Sequence, residues 1–507
     1  MSSSISITSI AIVGGGSAGW MTAATLSKVL DLTKYRVTLI ESDNIKGVSV
    51  GEATIPQITL FNRILGIDEG DFIRATKATY KLGIEFKDWK QRGHAYFHPF
   101  GTFGINMDAL PFHHFWLKRF NEGAGGDLST FSIEAVAAKQ CRFGRVNAQN
   151  NSPLANMSYA YHFDSTLYAG FLRDYATSRG VTRINGKVET VSKHPNGHIK
   201  SLTLQDGQSI SAEFYIDCSG FRSLLLEREM GATFNDWSDV LPCDSAIAIP
   251  CTSADPAIKP YTQSTAKVAG WTWRIPLQHR IGNGYVYSSQ FSNRDAALNE
   301  LVTQLEGKPL AEPNFLAWKT GMRPQSWIKN CVGIGLSAGF IEPLESTGLH
   351  LIQSAIARLM TLFPSRRFCQ SDIDMYNRQT VKEFEQIRDF ILLHYVLTER
   401  DDSEFWRYCR SVTLTGSLQE KIQLYKDSGR VFRVDNELFN ETSWLAVMHG
   451  QGLKSEGYHP LVERMPTALI DERLEHIASV IAKSASLLPA HGDFISQVCS
   501  SEGSAAT

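Results

Sequence analysis

This 507-residue chain has almost no net charge, with 50 Lys and Arg against 52 Asp and Glu and a formal balance of −2. Without a basic field, nucleic acid and anionic membranes are poor candidates for its main partner. It has no long apolar run. None reaches the roughly 18 residues that a membrane-crossing helix needs. Met1 to Thr8 is polar and lacks the basic-then-apolar order of a secretory leader. The eight cysteines, at 141, 218, 243, 251, 331, 369, 409 and 499, form no C-x-x-C pair. That scatter fits free thiols in a reducing compartment better than disulfides or zinc. The expectation is a cytoplasmic protein without a metal, a nucleic-acid partner or a membrane partner.

The apolar content, 43% of residues, is enough for a large core and more than one module. The front of the chain reads as a βαβ unit. Ile7 to Val13 is a short apolar strand, Gly14-Gly15-Gly16-Ser17-Ala18-Gly19 follows, and Trp20 to Leu30 has helical spacing. Tyr35 to Ile40 is a second strand, closed by Glu41. Gly14 permits the tight turn, Gly16 lets a pyrophosphate approach the backbone, and Gly19 lets helix and strand pack closely. Glu41 follows Gly19 by 22 residues and is placed to accept hydrogen bonds from a ribose.

The later pattern favours FAD over a nicotinamide. Instead of more alternating strands and helices, Val188 to Ile216 reads as a strand meander, with hairpin turns at Asn196-Gly197 and Asp206-Gly207. Small-residue turns follow at Asp217-Cys218-Ser219-Gly220 and Gly333 to Gly339. A dinucleotide unit interrupted by a meander and resumed late resembles the α/β FAD-binding, Rossmann-like fold of the flavin hydroxylases.

Within that fold, an ordered set of motifs resembles the flavin-dependent halogenases of the tryptophan halogenase family. The set comprises Gly14 to Trp20, Val50 to Pro56, Tyr80-Lys81, His98-Pro99-Phe100 and Phe112 to Trp116. Trp271-Thr272-Trp273-Arg274-Ile275-Pro276 and Phe340 to Gly348 complete it. Where ordinary hydroxylases carry Gly-Asp in the late turn, this chain has Gly335-Leu336-Ser337.

The resemblance implies reduced FAD (FADH2), O2 and a halide, bromide or chloride, as reactants, with hypohalous acid passed to Lys81. It also implies a small aromatic substrate and a separate NAD(P)H-dependent flavin reductase. FAD contacts are implied at Gly14, Gly16, Ser17, Ala18, Gly19 and Glu41, at Gly51, Glu52 and Ala53, and at Val188, Leu336 and Leu349. Thr347 and Gly348 stand before an amphipathic helical pattern, where free amides favour an anion; Ser346-Thr347 as a plain helix cap is the alternative. Lys81 is read at the end of a helical stretch, Phe72 to Lys81. It would hold hypohalous acid by hydrogen bonding or capture the halogen as a haloamine. Glu345 is the matching acid, placed to take the proton lost by the ring. Trp271 and Trp273, on one strand face, would keep organic substrate from the flavin. His98, Phe100, Phe112, His113 and Phe439 are candidates for the substrate chamber.

The expected division is a catalytic body at 1–365, a helical substrate-site module at 366–499 and a disordered tail at 500–507. Enzymes acting on free tryptophan grip it through a phenylalanine-tryptophan and paired-tyrosine segment. Here the corresponding stretch is Leu438-Phe439-Asn440-Glu441-Thr442-Ser443-Trp444-Leu445, without the tryptophan and tyrosines in their usual places. An indole-like aromatic is therefore expected over free tryptophan. Competing readings are an FAD-dependent aromatic hydroxylase and a non-catalytic FAD-binding protein. The chain is expected to be a monomer or a homodimer.

Overall fold

A computed structural model describes residues 6–44, 51–145 and 152–500. Val50 and almost all of the expected tail lie outside them. The chain forms two compact units, each assembled from three segments.

The first unit comprises Met1–Ala78, Phe163–Asp244 and Ala317–Glu385. Its centre is a six-stranded sheet in the order Trp327–Ile328, Cys331–Gly333, Phe214–Asp217, Ser9–Val13, Arg36–Glu41, Thr182–Asn185. All neighbours run parallel except the first, antiparallel pair. The strand Ser9–Val13 is almost wholly buried, as its unbroken apolar run requires for a central parallel strand. The glycine-loop helix spans Ser17–Val29. The meander is a three-stranded antiparallel sheet, Val188–Lys193, Ile199–Leu204 and Ser209–Ser211. Gly197 and Gly207 turn it at positive φ, 79° and 86°. Phe214–Asp217 does not belong to the meander as its apolar run suggested; it pairs in parallel with Ser9–Val13. Its side chains are buried on both faces, which only the central sheet offers.

The second unit comprises Thr79–His162, Ser245–Leu316 and Gln386–Thr507. A seven-stranded sheet carries, in order, Asn314–Ala317, Ser245–Cys251, Ile281–Tyr287, Gly270–Pro276, Thr262–Ala266, Gly83–Lys87 and Ala95–Pro99. From Gln370 to Ser500 every named element is helical, including Gln370–Val396 and Thr467–Ser486. The expected FAD-binding fold with a helical C-terminal part is what forms. No helix among the described residues is long and apolar enough to cross a membrane.

The second unit also holds several buried, neutral histidines. Burial pushes His113, His449 and His491 down to about 4 and His114 down to about 3. Unfolded, each would titrate near 6.5, so the unfolded chain takes up protons first as pH falls. Their contribution is intact above pH 6.5 and is lost between there and about pH 4. Glu134, pushed up to about 7 by burial, works in the opposite direction. At pH 5 the net loss should be several kcal/mol, roughly 1–2 per histidine. The protein's urea midpoint should therefore drop sharply between pH 7 and pH 5; an unchanged midpoint would contradict neutral burial.

Candidate active site

The glycine loop has the geometry of a phosphate cradle. Gly14 has φ +116°, and a Cβ there would lie 2.2 Å from the Cys218 carbonyl oxygen. A Cβ on Gly19 would lie 1.8 Å from the carbonyl oxygen of Gly14. Gly16 differs, because nothing lies within 4 Å of the Cβ it lacks. It occupies the N-cap of the helix without a side-chain cap, so the amides of Ser17, Ala18 and Gly19 lead the first turn. Open space over an uncapped helix start fits a pyrophosphate, and these residues suit FAD.

Glu41 ends its strand beside that loop. Its Oε1 accepts from Arg183 Nε at 2.5 Å and its Oε2 from the Trp20 indole N–H at 3.3 Å. Arg183 also binds Asp43. Sequence reasoning missed Arg183, which has no motif around it. Glu52 follows Gly51 on the short strand Gly51–Ala53. Burial, then the Asp164 carboxylate, push its carboxyl up to about 7. Val188 opens the first meander strand, Leu336 sits in the turn Gly335–Ser337, and Leu349 is buried in the helix Gly348–Thr361.

Glu345 and Thr347 are both buried in the segment entering that helix. Ser346 turns the chain at φ 61°. Thr347 is the N-cap residue but its side chain makes no cap hydrogen bond, and its buried Oγ1 has no partner. Thr347 therefore does not cap the helix through its side chain. What remains is an uncapped helix start with a buried hydroxyl at its mouth, ahead of Gly348.

Lys81 lies in the second unit, wholly buried. It is not at the end of a helix, as its sequence neighbourhood suggested. The helix runs only over Glu69–Thr76 and is closed by Lys77 in the left-handed region. Thr79–Lys81 is a strand, paired antiparallel with Ala160, Tyr161 and His162. The β-branched and aromatic residues Thr79 and Tyr80 suit that state better than a helix. Lys81 Nζ lies 5.0 Å from the centroid of the Phe100 ring. Thr79 Oγ1 donates to the Pro276 carbonyl at 2.7 Å. This hydroxyl therefore accepts from His162 Nδ1 at 3.2 Å, leaving His162 Nε2 to accept from Thr262 Oγ1 at 2.9 Å. Burial first, and Lys81 second, hold His162 well below its ordinary range. It stays neutral. The strand of Lys81 is thus hydrogen-bonded to the end of the strand bearing Trp271 and Trp273.

Those two indoles stand 6.2 Å apart at 57°. Trp273 faces Gly284 across the sheet, where a Cβ would meet its ring at 2.1 Å. Gly284, unnoticed in the sequence, makes room for the indole. Glu134 was missed as well. Its carboxyl fills the place of a Cβ on Gly101, next to Phe100.

The proposed chamber residues fall into different surroundings. His98 approaches Phe439 at 6.4 Å and Phe390 at 5.8 Å, and Phe390 stacks on Phe439 at 3.8 Å. Phe112 packs against Phe131 at 5.0 Å. His113 is bonded through Nε2 to the Gly429 carbonyl at 3.0 Å. His98 and Phe439 therefore share one aromatic cluster, whereas Phe112 and His113 are tied to other neighbours.

Known proteins resemble this chain in sequence and in fold. The tryptophan halogenase family model matches residues 9–467. Tryptophan 7-halogenase RebH of Lentzea aerocolonigenes is 34% identical, over 97% of this chain and 98% of its own. The flavin-dependent halogenase Xcc4156 of Xanthomonas campestris has a similar structure, with 43% identity, TM-score 0.94, and 97% and 98% of the two chains covered. BrvH, a flavin-dependent halogenase from Brevundimonas sp. BAL3, superposes with TM-score 0.93 at 42% identity, covering 97% and 99%. With the motifs in order and the match spanning nearly the whole chain, this protein belongs to the tryptophan halogenase family of flavin-dependent halogenases.

Proposed function

We propose that this chain halogenates an electron-rich, indole-like aromatic, using bromide or chloride, O2 and FADH2 delivered by a separate reductase. Bound reduced FAD would supply, with O2, the two-electron oxidising power that turns halide into hypohalous acid. The chain's part begins with the cradle, where the amides after Gly16 hold the pyrophosphate and Glu41 takes the ribose. Thr347 and Gly348 offer the halide an uncapped helix start, whose partial positive charge favours an anion. Trp271 and Trp273 exclude the organic substrate from the flavin side. Lys81 holds the oxidised halogen, through a hydrogen bond or as a haloamine, and Glu345 accepts the proton lost when the ring regains aromaticity.

The observation that supports this best is the wholly buried Lys81, on a strand bonded to the end of the Trp271–Pro276 strand. A surface lysine would be solvated. A lysine is almost never wholly buried unless its surroundings are built to partner it.

Free tryptophan brings an ammonium and a carboxylate, each needing a partner on burial. Phe439 is stacked on Phe390 with His98 alongside, a flat apolar setting that suits a neutral ring. Indole should therefore be turned over with a higher kcat/KM than free tryptophan, at its most electron-rich carbon. Enzyme, reductase, FAD, NADH and bromide are incubated with each substrate, and products are read by mass and isotope doublet. A hydroxylated product would overturn the halogenase reading. A clear preference for tryptophan would overturn the substrate reading.

A further inference from the structure

Lys81 sits on a strand of only three residues at the edge of its sheet. An outward amide on a buried edge costs about 1–3 kcal/mol if left unpaired. The neighbouring bonds pair these groups. Leu82 N–H donates to the Pro260 carbonyl at 2.7 Å, and Phe100 N–H donates to the Leu82 carbonyl at 3.0 Å. The Tyr80 amide, directly before Lys81, is taken by a side chain. It donates to His491 Nε2 at 3.1 Å, across 411 residues of sequence. The other ring nitrogen, His491 Nδ1, faces the Ile258 carbonyl at 2.8 Å and must donate to it. The two contacts together specify one neutral tautomer.

The histidine is itself anchored. Its amide donates to the Cys141 carbonyl at 2.9 Å, Arg142 bridges to Ala490, and Phe143 N–H donates to the Pro489 carbonyl at 3.3 Å. Phe143 stacks on Tyr80 at 4.1 Å, and Phe494, one turn beyond His491, packs against both rings at 5.4 Å. The start of the C-terminal helix, His491–Ser500, is thus fastened to the back of the lysine strand.

We propose that His491 is a positioning residue for Lys81: it holds the Tyr80 amide so that the ammonium meets the oxidant at a set place. The inference rests on the reading of Lys81 given above. A lysine strand free to shift would still sit downstream of an intact flavin cradle, so oxidant would be made but captured poorly. Misplacement by about 1 Å can cost on the order of 10²-fold.

The test uses the whole enzyme with its reductase, comparing His491→Ala, His491→Phe and His491→Gln. Phenylalanine keeps the ring volume and loses both bonds, whereas glutamine has an amide oxygen and an N–H to replace them. FAD affinity and oxygen consumption should match the parent in all three. Product per oxygen consumed should fall at least about tenfold in Ala and Phe, while a halogen-accepting β-diketone in solution traps correspondingly more hypohalous acid; Gln should recover most of the product. Unchanged coupling in Ala and Phe overturns the proposal, as does a parallel loss of FAD affinity and product in all three variants. Product surviving in Lys81→Met removes the lysine reading, and this proposal with it.

Discussion

Replacing Lys81 by alanine should leave FAD binding and oxygen consumption intact while halogenated product falls by at least about 10²-fold. Lys81 belongs to the strand Thr79–Lys81 and not to the glycine loop Gly14–Gly19, so holding FAD in that cradle does not use its side chain. Lys81 is fully buried, and truncation to alanine leaves a cavity that costs roughly 2–5 kcal/mol by analogy with other long side chains. Lys81→Met therefore accompanies it, since methionine fills the volume without the ammonium. Both variants should pass the whole oxidant output to solution, where a halogen trap counts it. Halogenated substrate formed at the parental rate by either variant would remove Lys81 from the reaction.

Gly16→Val should abolish FAD binding without disturbing the fold. Gly16 has φ −78° and ψ −170°, extended backbone that valine adopts readily. No atom lies within 4 Å of its absent Cβ, so the unliganded protein should melt like the parent. The space that valine fills is the space a pyrophosphate would need. FAD affinity should fall at least about a hundredfold, equivalent to about 2.7 kcal/mol, when titrated by flavin fluorescence. Gly14→Ala and Gly19→Ala are poor substitutes, because each drives a Cβ into backbone at 2.2 Å or closer. They would lose FAD by distorting the fold. A Gly16→Val protein that takes up FAD normally would show that the cradle is elsewhere.

The sequence by itself determined the features written in local chemistry. Apolar runs, hairpin glycines and the glycine loop specified the parallel sheet, the meander and the cradle, because each depends on residues close in sequence. The motif order from Gly14 to Gly348 identified the family for the same reason. Tertiary structure decided whatever depends on distant partners. The segment Phe72 to Lys81 has the spacing of one helix, but pairing with Ala160–His162 makes its end a strand. Phe214–Asp217 resembled a meander strand until its parallel neighbour Ser9–Val13 claimed it. Ser346-Thr347 resembled an ordinary cap, but the turn at Ser346 leaves the Thr347 hydroxyl buried and unbonded. His162, Arg183, Gly284 and His491 carry no local signature at all. Their roles come from hydrogen bonds and clearances to residues on other elements, from 11 to 411 positions away, which periodicity and propensity cannot encode.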